Sequence, residues 1–184
     1  MFESIKAKAL ITVPPIVLLV VATFFTFGYF VTLILGIPFS FGLTLPVRLL
    51  ALLVLVSGFS FFGWVFRYRK PTDVLVSTYV TFSKVKKRSP PEKPTGRTEP
   101  LVVQGPYRYV RHPLYFGVVL LVLGWWLLLD YSFLLVSAIF LLLWFNFVVA
   151  PFEEVELRAI FGEQYEQYSK EVPKIIPFTK HRKK

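Results

Sequence analysis

The run from Leu10 to Leu35 is apolar throughout and carries no charged residue. About 20 such residues in helical form are enough to cross a bilayer core. Three further runs approach the same standard: Leu43 to Phe66, Leu114 to Leu129 and Phe133 to Ala150. With 55% hydrophobic and 18% aromatic residues in 184, too little polar sequence remains to coat a soluble domain of this size. The pattern predicts an all-α, polytopic integral membrane protein with four transmembrane helices.

Lys6 and Lys8 precede the first run much as the basic region of a signal peptide would, but that run is too long for a signal peptide and shows no small-x-small cleavage site. It is read as the first span, with Pro14 and Pro15 in its opening turns, where missing amide donors cost little. Cysteine is absent, which excludes disulfides, thiolate metal sites and lipid attachment through sulfur. The net charge of +10 does not call for nucleic acid, because the basic residues cluster beside apolar spans, where cytoplasmic loops collect them. No metal and no obligate protein partner are expected; the bilayer itself is the expected partner.

Sidedness follows from the same charges. Arg67 to Arg111 holds eleven basic residues against three acids, the segment after Pro151 holds seven more, and the short turns hold almost none. Both termini and the central loop are therefore assigned to the cytoplasm. Lys84 to Pro100, "KVKKRSPPEKPTGRTEP", reads as an extended basic loop suited to anionic headgroups, and Asp73 to Val85 as a short interfacial helix. Chain organisation is then an N-terminal pair of transmembrane helices (1–66), a basic Pro-rich loop (67–98) and a C-terminal core (99–184).

Asp130-Tyr131-Ser132 leaves room only for a tight turn, so the third and fourth runs form an antiparallel helical hairpin. His112-Pro113 opens the third helix, with proline at its first position, and Glu153-Glu154 follows the fourth at Pro151. The hairpin therefore brings Arg111-His112 and Glu153-Glu154 to the same membrane face despite some forty residues between them. Singly, each residue has an ordinary explanation: arginines that enforce topology, tyrosines of an aromatic belt, acids on a helix N-terminal turn. Together they place cations, an imidazole, phenols and carboxylates where headgroups meet water. Beyond them, Val155, Ala159, Phe161, Tyr165 and Tyr168 recur at near-helical intervals, broken by Gly162. This predicts a cytoplasmic amphipathic helix able to cover the hairpin mouth.

The ordered set Gly105-x-Tyr107-x-x-x-Arg111-His112-Pro113-x-Tyr115-x-Gly117, Glu153-Glu154, Phe161-Gly162-x-x-Tyr165-x-x-Tyr168, Val172-Pro173 and Pro177-Phe178 resembles the isoprenylcysteine carboxyl methyltransferases and the related phospholipid methyltransferases. The likeness runs from about Glu99 to Phe178, and the first two spans match by hydropathy alone. It implies a membrane enzyme using S-adenosyl-L-methionine on a lipophilic acceptor. It implies cofactor contacts from Glu99, Pro100, Leu101 and Val102, from Gly105 and Tyr107, from His112, Pro113, Leu114 and Tyr115, and from Glu153 or Glu154. In the same resemblance Arg111 orients an anionic acceptor, and His112 or a glutamate takes the proton if the acceptor is an amine.

Two departures bear on the acceptor. Isoprenylcysteine enzymes carry an arginine one turn before the glutamate pair, where this chain has Asn146-Phe147-Val148-Val149 and no cation; the residue before Val172-Pro173, often basic there, is Glu171. The acceptor is left open between a prenylcysteine carboxylate and a phospholipid amine. Outside the family, a sterol-type membrane reductase and a non-enzymatic scaffold are the alternatives. The reductases have more spans, and no dinucleotide glycine fingerprint follows a strand here.

Overall fold

The computed structural model describes residues 2–87 and 100–179. The described residues are helices and their connections, with no strand among them: α1 (Phe2–Ile34), α2 (Leu45–Tyr68), α3 (Pro71–Lys87), α4 (Pro113–Leu129), α5 (Ser132–Trp144), α6 (Ala150–Phe161) and α7 (Glu163–Glu171). A 3-10 turn at Gly105–Arg108 precedes α4, and a π-helical turn at Phe145–Val149 joins α5 to α6. Three helical stretches are long and apolar enough to cross a membrane: Ile5–Ile34, Leu45–Tyr68 and the joined Ser132–Phe161. Pro113–Leu129 is apolar but shorter. The basic stretch 88–99, and Glu99 with it, lies outside the described residues.

Two sequence expectations change here. Helix α1 starts at Phe2, so Pro14 and Pro15 lie inside it rather than in its opening turns. Its 33 residues make a rod of roughly 50 Å at the α-helical rise, longer than a bilayer core of about 30 Å requires. Nor does the fourth apolar run end at Pro151. The chain stays helical from Ser132 through Phe161, because the π-helical turn widens the backbone just where the ring of Pro151 would press on a carbonyl four residues back.

The helices meet through small residues, the means by which apolar helices approach when lipid is as greasy as they are. Helix α2 packs along α4, and α1 along α5 and α3. At the first contact Gly58 faces Leu121, Gly117 faces Phe62 and Gly124 faces Leu55. At the α1–α5 contact, a Cβ on Gly28 would collide with Ser137 Oγ and lie 2.8 Å from the Phe133 carbonyl oxygen. Ser137 Oγ sits in this seam, bonded to the carbonyls of Phe133 (2.7 Å) and Phe24 (3.1 Å). Gly28→Ala is therefore expected to force the two backbones apart and destabilise the fold by about 1–3 kcal/mol, read as a lower thermal unfolding midpoint in detergent.

The end of the bundle remote from the glutamate pair is tied by one carboxylate. Asp130 closes α4 in a left-handed conformation (φ 59°) and is 1% exposed. It accepts from Ser40 Oγ (2.6 Å) and from the amides of Leu43 (2.8 Å) and Phe41 (3.1 Å). Ser132 N donates to Phe39 O (3.0 Å) beside it. The sequence shows only a tight turn at this point; the turn also fastens the α1–α2 connection to the hairpin. The Ser40 bond chiefly, against the cost of burial and with help from the loop amides, holds the Asp130 pKa below its ordinary 3.8. Its stabilisation is present above that value and is lost as pH falls through the lowered one. Wild type is expected to melt later than Asp130→Asn at neutral pH, and the gap should close on acidification below pH 4.

Candidate active site

The site begins where α4 begins. Gly105 turns the chain with φ +59°, and a Cβ there would collide with the ring of Tyr68, so its glycine is required by α2 packing. The following 3-10 turn buries Pro106 and Tyr107. The amides of Arg111 and His112 then donate to the carbonyls of Pro173 (2.9 Å) and Lys174 (3.0 Å). Tyr168 Oη donates to Tyr107 O (2.6 Å). The chain after α7 is thereby stapled along the segment that leads into α4, a pairing that only the quoted Val172-Pro173 hinted at.

Across from this segment the two glutamates of α6 have separate surroundings. Glu154 is buried; its Oε1 accepts from Arg111 Nη2 (2.6 Å) and Nε (3.0 Å) and lies 3.4 Å from His112 Nε2. Arg111 Nη1 is also spent, on the carbonyls of Ser169 and Val172 (3.1 Å to the latter). Glu153 is more open, and its Oε2 lies 3.3 Å from His112 Nδ1. The hairpin thus brings the imidazole and both carboxylates into direct contact.

A neutral imidazole offers one donor and one acceptor, yet both ring nitrogens of His112 face a carboxylate oxygen, an arrangement that only the imidazolium satisfies twice. Burial alone pulls the His112 pKa down, but bonds and charges from Glu153 and Glu154 outweigh it and leave the pKa above 6.5. His112 stacks on Tyr115 (5.4 Å between centroids), and Tyr115 on Phe145 of the π-helical turn (4.4 Å), with interplanar angles of 9° in both pairs. The widened turn thus seats the ring stack and starts the helix that presents the glutamates.

Two clefts open against this cluster. The larger, about 650 Å³ and open to solvent, is bounded by Pro100, Leu101 and Val102 on one side and by Leu157, Phe161, Tyr165 and Tyr168 on the other. The smaller, about 400 Å³, lies between α3 and the start of α4, where Val74 and Thr78 face Pro113, Leu114 and Tyr115. Tyr107, His112 and Glu153 border both. In the larger cleft the Tyr165 hydroxyl is fully buried and has no hydrogen-bond partner among the described residues. Burial pushes the pKa values of Tyr165 and Tyr168 up, so both phenols are donors across the physiological range.

Of the residues singled out from sequence, Pro100 to Val102 and Tyr107 border the larger cleft, Pro113 to Tyr115 the smaller, and Glu153 and His112 both. Glu154 and Arg111 form the buried pair, with Arg111 reaching both cleft walls. Sequence reasoning missed Arg69 and Ser77, which border both clefts, because they stand outside the motif-bearing half. One expectation is corrected: the turn at Asn146 does not lack a cation. Lys174 Nζ donates to Asn146 O (3.1 Å), a position supplied by the C-terminal staple and invisible in the local sequence.

Residues 95–164 match the model of the phospholipid methyltransferase family. The protein-S-isoprenylcysteine O-methyltransferase of Schizosaccharomyces pombe is 44% identical over 78 residues, 42% of this chain and 33% of that protein. The methanethiol S-methyltransferase of Crocosphaera subtropica is 40% identical over 77 residues, covering 39% and 27%. Protein-S-isoprenylcysteine O-methyltransferase B of Arabidopsis thaliana is 34% identical over 78 residues, covering 42% and 40%. The matched stretch thus spans between about a quarter and two fifths of these relatives. No solved structure matches the chain. Over this segment the chain is similar to the phospholipid methyltransferase family and to the protein-S-isoprenylcysteine O-methyltransferases.

Proposed function

We propose that the protein is an integral membrane methyltransferase that uses S-adenosyl-L-methionine on a lipophilic acceptor. In this reading α4 is the fourth span, both termini and the site face the cytoplasm, and α6 and α7 lie at that surface. The observation that carries it is the pair of clefts joined at Tyr107, His112 and Glu153. Both are open, and the smaller lies at the root of an apolar helix, so in this reading a polar cofactor enters the larger and a lipid-borne acceptor the smaller.

The larger cleft fits the cofactor on its own chemistry. Pro100, Leu101 and Val102 offer apolar surface and backbone groups for a base. Tyr107, Tyr165 and Tyr168 supply ring faces and hydroxyls, and the buried Tyr165 hydroxyl awaits an acceptor. Glu153, facing the cleft, is the carboxylate for ribose hydroxyls or an ammonium; Glu154, committed to Arg111, is not. When bound, S-adenosyl-L-methionine supplies a methyl group on a sulfonium, a centre that aromatic faces favour.

The protein's own contribution is to align and to dry. The ring stack and the staple fix the walls, so an acceptor held in the smaller cleft meets the larger one in a fixed line, and direct displacement needs little more than that alignment and exclusion of water. A carboxylate or thiolate acceptor needs no base. For an amine, Glu153 is better placed than His112 to take the proton, since His112 already holds one between two carboxylates. Arg111 acts by fixing Glu154 and the staple instead of touching the acceptor.

Purified protein incubated with radiolabelled S-adenosylmethionine and a total lipid extract should move label into the organic phase. Label that stays in the aqueous phase with a soluble thiol as acceptor would reassign the acceptor class. Absence of S-adenosylhomocysteine binding would end the proposal.

A further inference from the structure

The two sides of the smaller cleft come from different parts of the chain. Pro113, Leu114 and Tyr115 open α4, within the segment that matches the family, whereas Val74 and Thr78 belong to α3, outside it. Helix α3 packs along α1, so this side of the cleft is carried by the N-terminal part of the chain. Neither Val74 nor Thr78 borders the larger cleft.

The α3 side has no hydroxyl proton to give. Of its residues on this cleft, Ser77 and Thr78 carry hydroxyls, and a hydroxyl holds one hydrogen. Ser77 Oγ donates to Val74 O (2.9 Å), and Thr78 Oγ1 donates to the same carbonyl (2.8 Å). Ser77 Oγ also accepts from Arg69 Nη2 (2.8 Å). What α3 leaves to a ligand is the Val74 side chain and the Thr78 methyl, apolar groups on β-branched residues whose χ1 rotation is restricted. Opposite them Tyr115 stacks with both His112 and Phe145, so neither side of the cleft retreats easily. Such a site selects by bulk instead of by hydrogen bonds. One methylene more or fewer in an apolar pocket changes selectivity roughly 10- to 200-fold.

Resting on the methyltransferase reading, we propose that Val74 and Thr78 are the specificity-determining residues for the acceptor. They admit it according to the bulk of the apolar stem next to its reacting atom, while Glu153 and His112 border the polar end of the same cleft.

The test compares full-length wild type in detergent with Val74→Ala, Val74→Phe and Thr78→Val. S-Adenosylhomocysteine is titrated against each. Label transfer from saturating S-adenosylmethionine into total lipid extract is then followed, with the labelled lipids separated by chromatography. Val74→Phe is expected to lower transfer by about tenfold or more, with S-adenosylhomocysteine affinity unchanged. Val74→Ala should keep that affinity too and admit bulkier stems, so that lipids labelled weakly by wild type gain by a similar factor. Thr78→Val keeps the shape and deletes a hydroxyl that serves only the helix, so it should transfer label as wild type does.

Either undiminished transfer in Val74→Phe or a wild-type pattern of labelled lipids in Val74→Ala overturns the proposal. Should Val74→Phe fail to fold, the Val74→Ala pattern decides. Lost transfer in Thr78→Val would assign its hydroxyl to the ligand and overturn selection by bulk. Weakened S-adenosylhomocysteine binding in Val74→Ala marks a structural role and also overturns it. So does wild type that binds S-adenosylhomocysteine and labels no lipid, since no apolar stem then uses the cleft. Failure of wild type to bind S-adenosylhomocysteine is a separate result; it removes the methyltransferase reading and this inference with it.

Discussion

Glu154→Ala is expected to cost about 3–5 kcal/mol of stability, because it leaves buried charge without its partner. Arg111 and Glu154 are 7% and 5% exposed at the side chain, and the same carboxylate faces His112. Its loss leaves the buried Arg111 guanidinium without its carboxylate and His112 with Glu153 alone. Differential scanning fluorimetry in detergent should show a fall of many degrees, with a smaller fall for Glu154→Gln. The paired change Arg111→Met with Glu154→Leu should recover part of the loss, since the charge and its neutraliser leave together. An unchanged midpoint in Glu154→Ala would mean that water reaches this cluster freely.

Raising pH should loosen the same network from its other side. The folded pKa of His112 lies above the ordinary 6.5, so its contribution is complete below about pH 6.5 and fades as pH rises through the folded value. The wild-type midpoint should decline on the alkaline side, and the decline should be shallower in Glu154→Gln.

Glu153→Gln should separate ligand binding from folding. Glu153 borders both clefts, while Glu154 continues to neutralise Arg111 and His112. Loss of a charge-assisted contact of about 1.5–3 kcal/mol predicts S-adenosylhomocysteine affinity lower by roughly 10- to 100-fold. The melting midpoint should move far less than in Glu154→Ala. Equal affinity in Glu153→Gln and wild type would place the cofactor's polar contacts elsewhere in the larger cleft.

How much of this was legible beforehand follows from which interactions are local. Apolar runs placed α2, α4 and the start of α5 within a few residues, because nothing in lipid competes with the internal hydrogen bonds of a helix, while α1 begins earlier, at Phe2, and the last helical stretch runs on to Phe161. The short Asp130-Tyr131-Ser132 turn sufficed to bring His112 to Glu153, since three residues leave little choice of geometry. Pro151 misled in placing the end of the last apolar run, because a widened turn is a collective backbone adjustment that no single residue announces. Lys174 at Asn146 and Arg69 at the cleft junction were hidden for a different reason. Each reaches the site through tertiary packing, one by the C-terminal staple and the other by the joint between α2 and α3, and neither lies at a spacing that periodicity can register. The division of labour between Glu153 and Glu154 was equally out of reach: adjacent identical residues differ only in the direction a helix points them.

The amides of Arg111 and His112 are held by carbonyls some sixty positions later. The wall shared by the two clefts therefore has no backing until Pro173 and Lys174 are in place. A chain cut ahead of Val172 is expected to keep its apolar helices and to lose this backing, so that ligand binding at the clefts should fail before the helical content does.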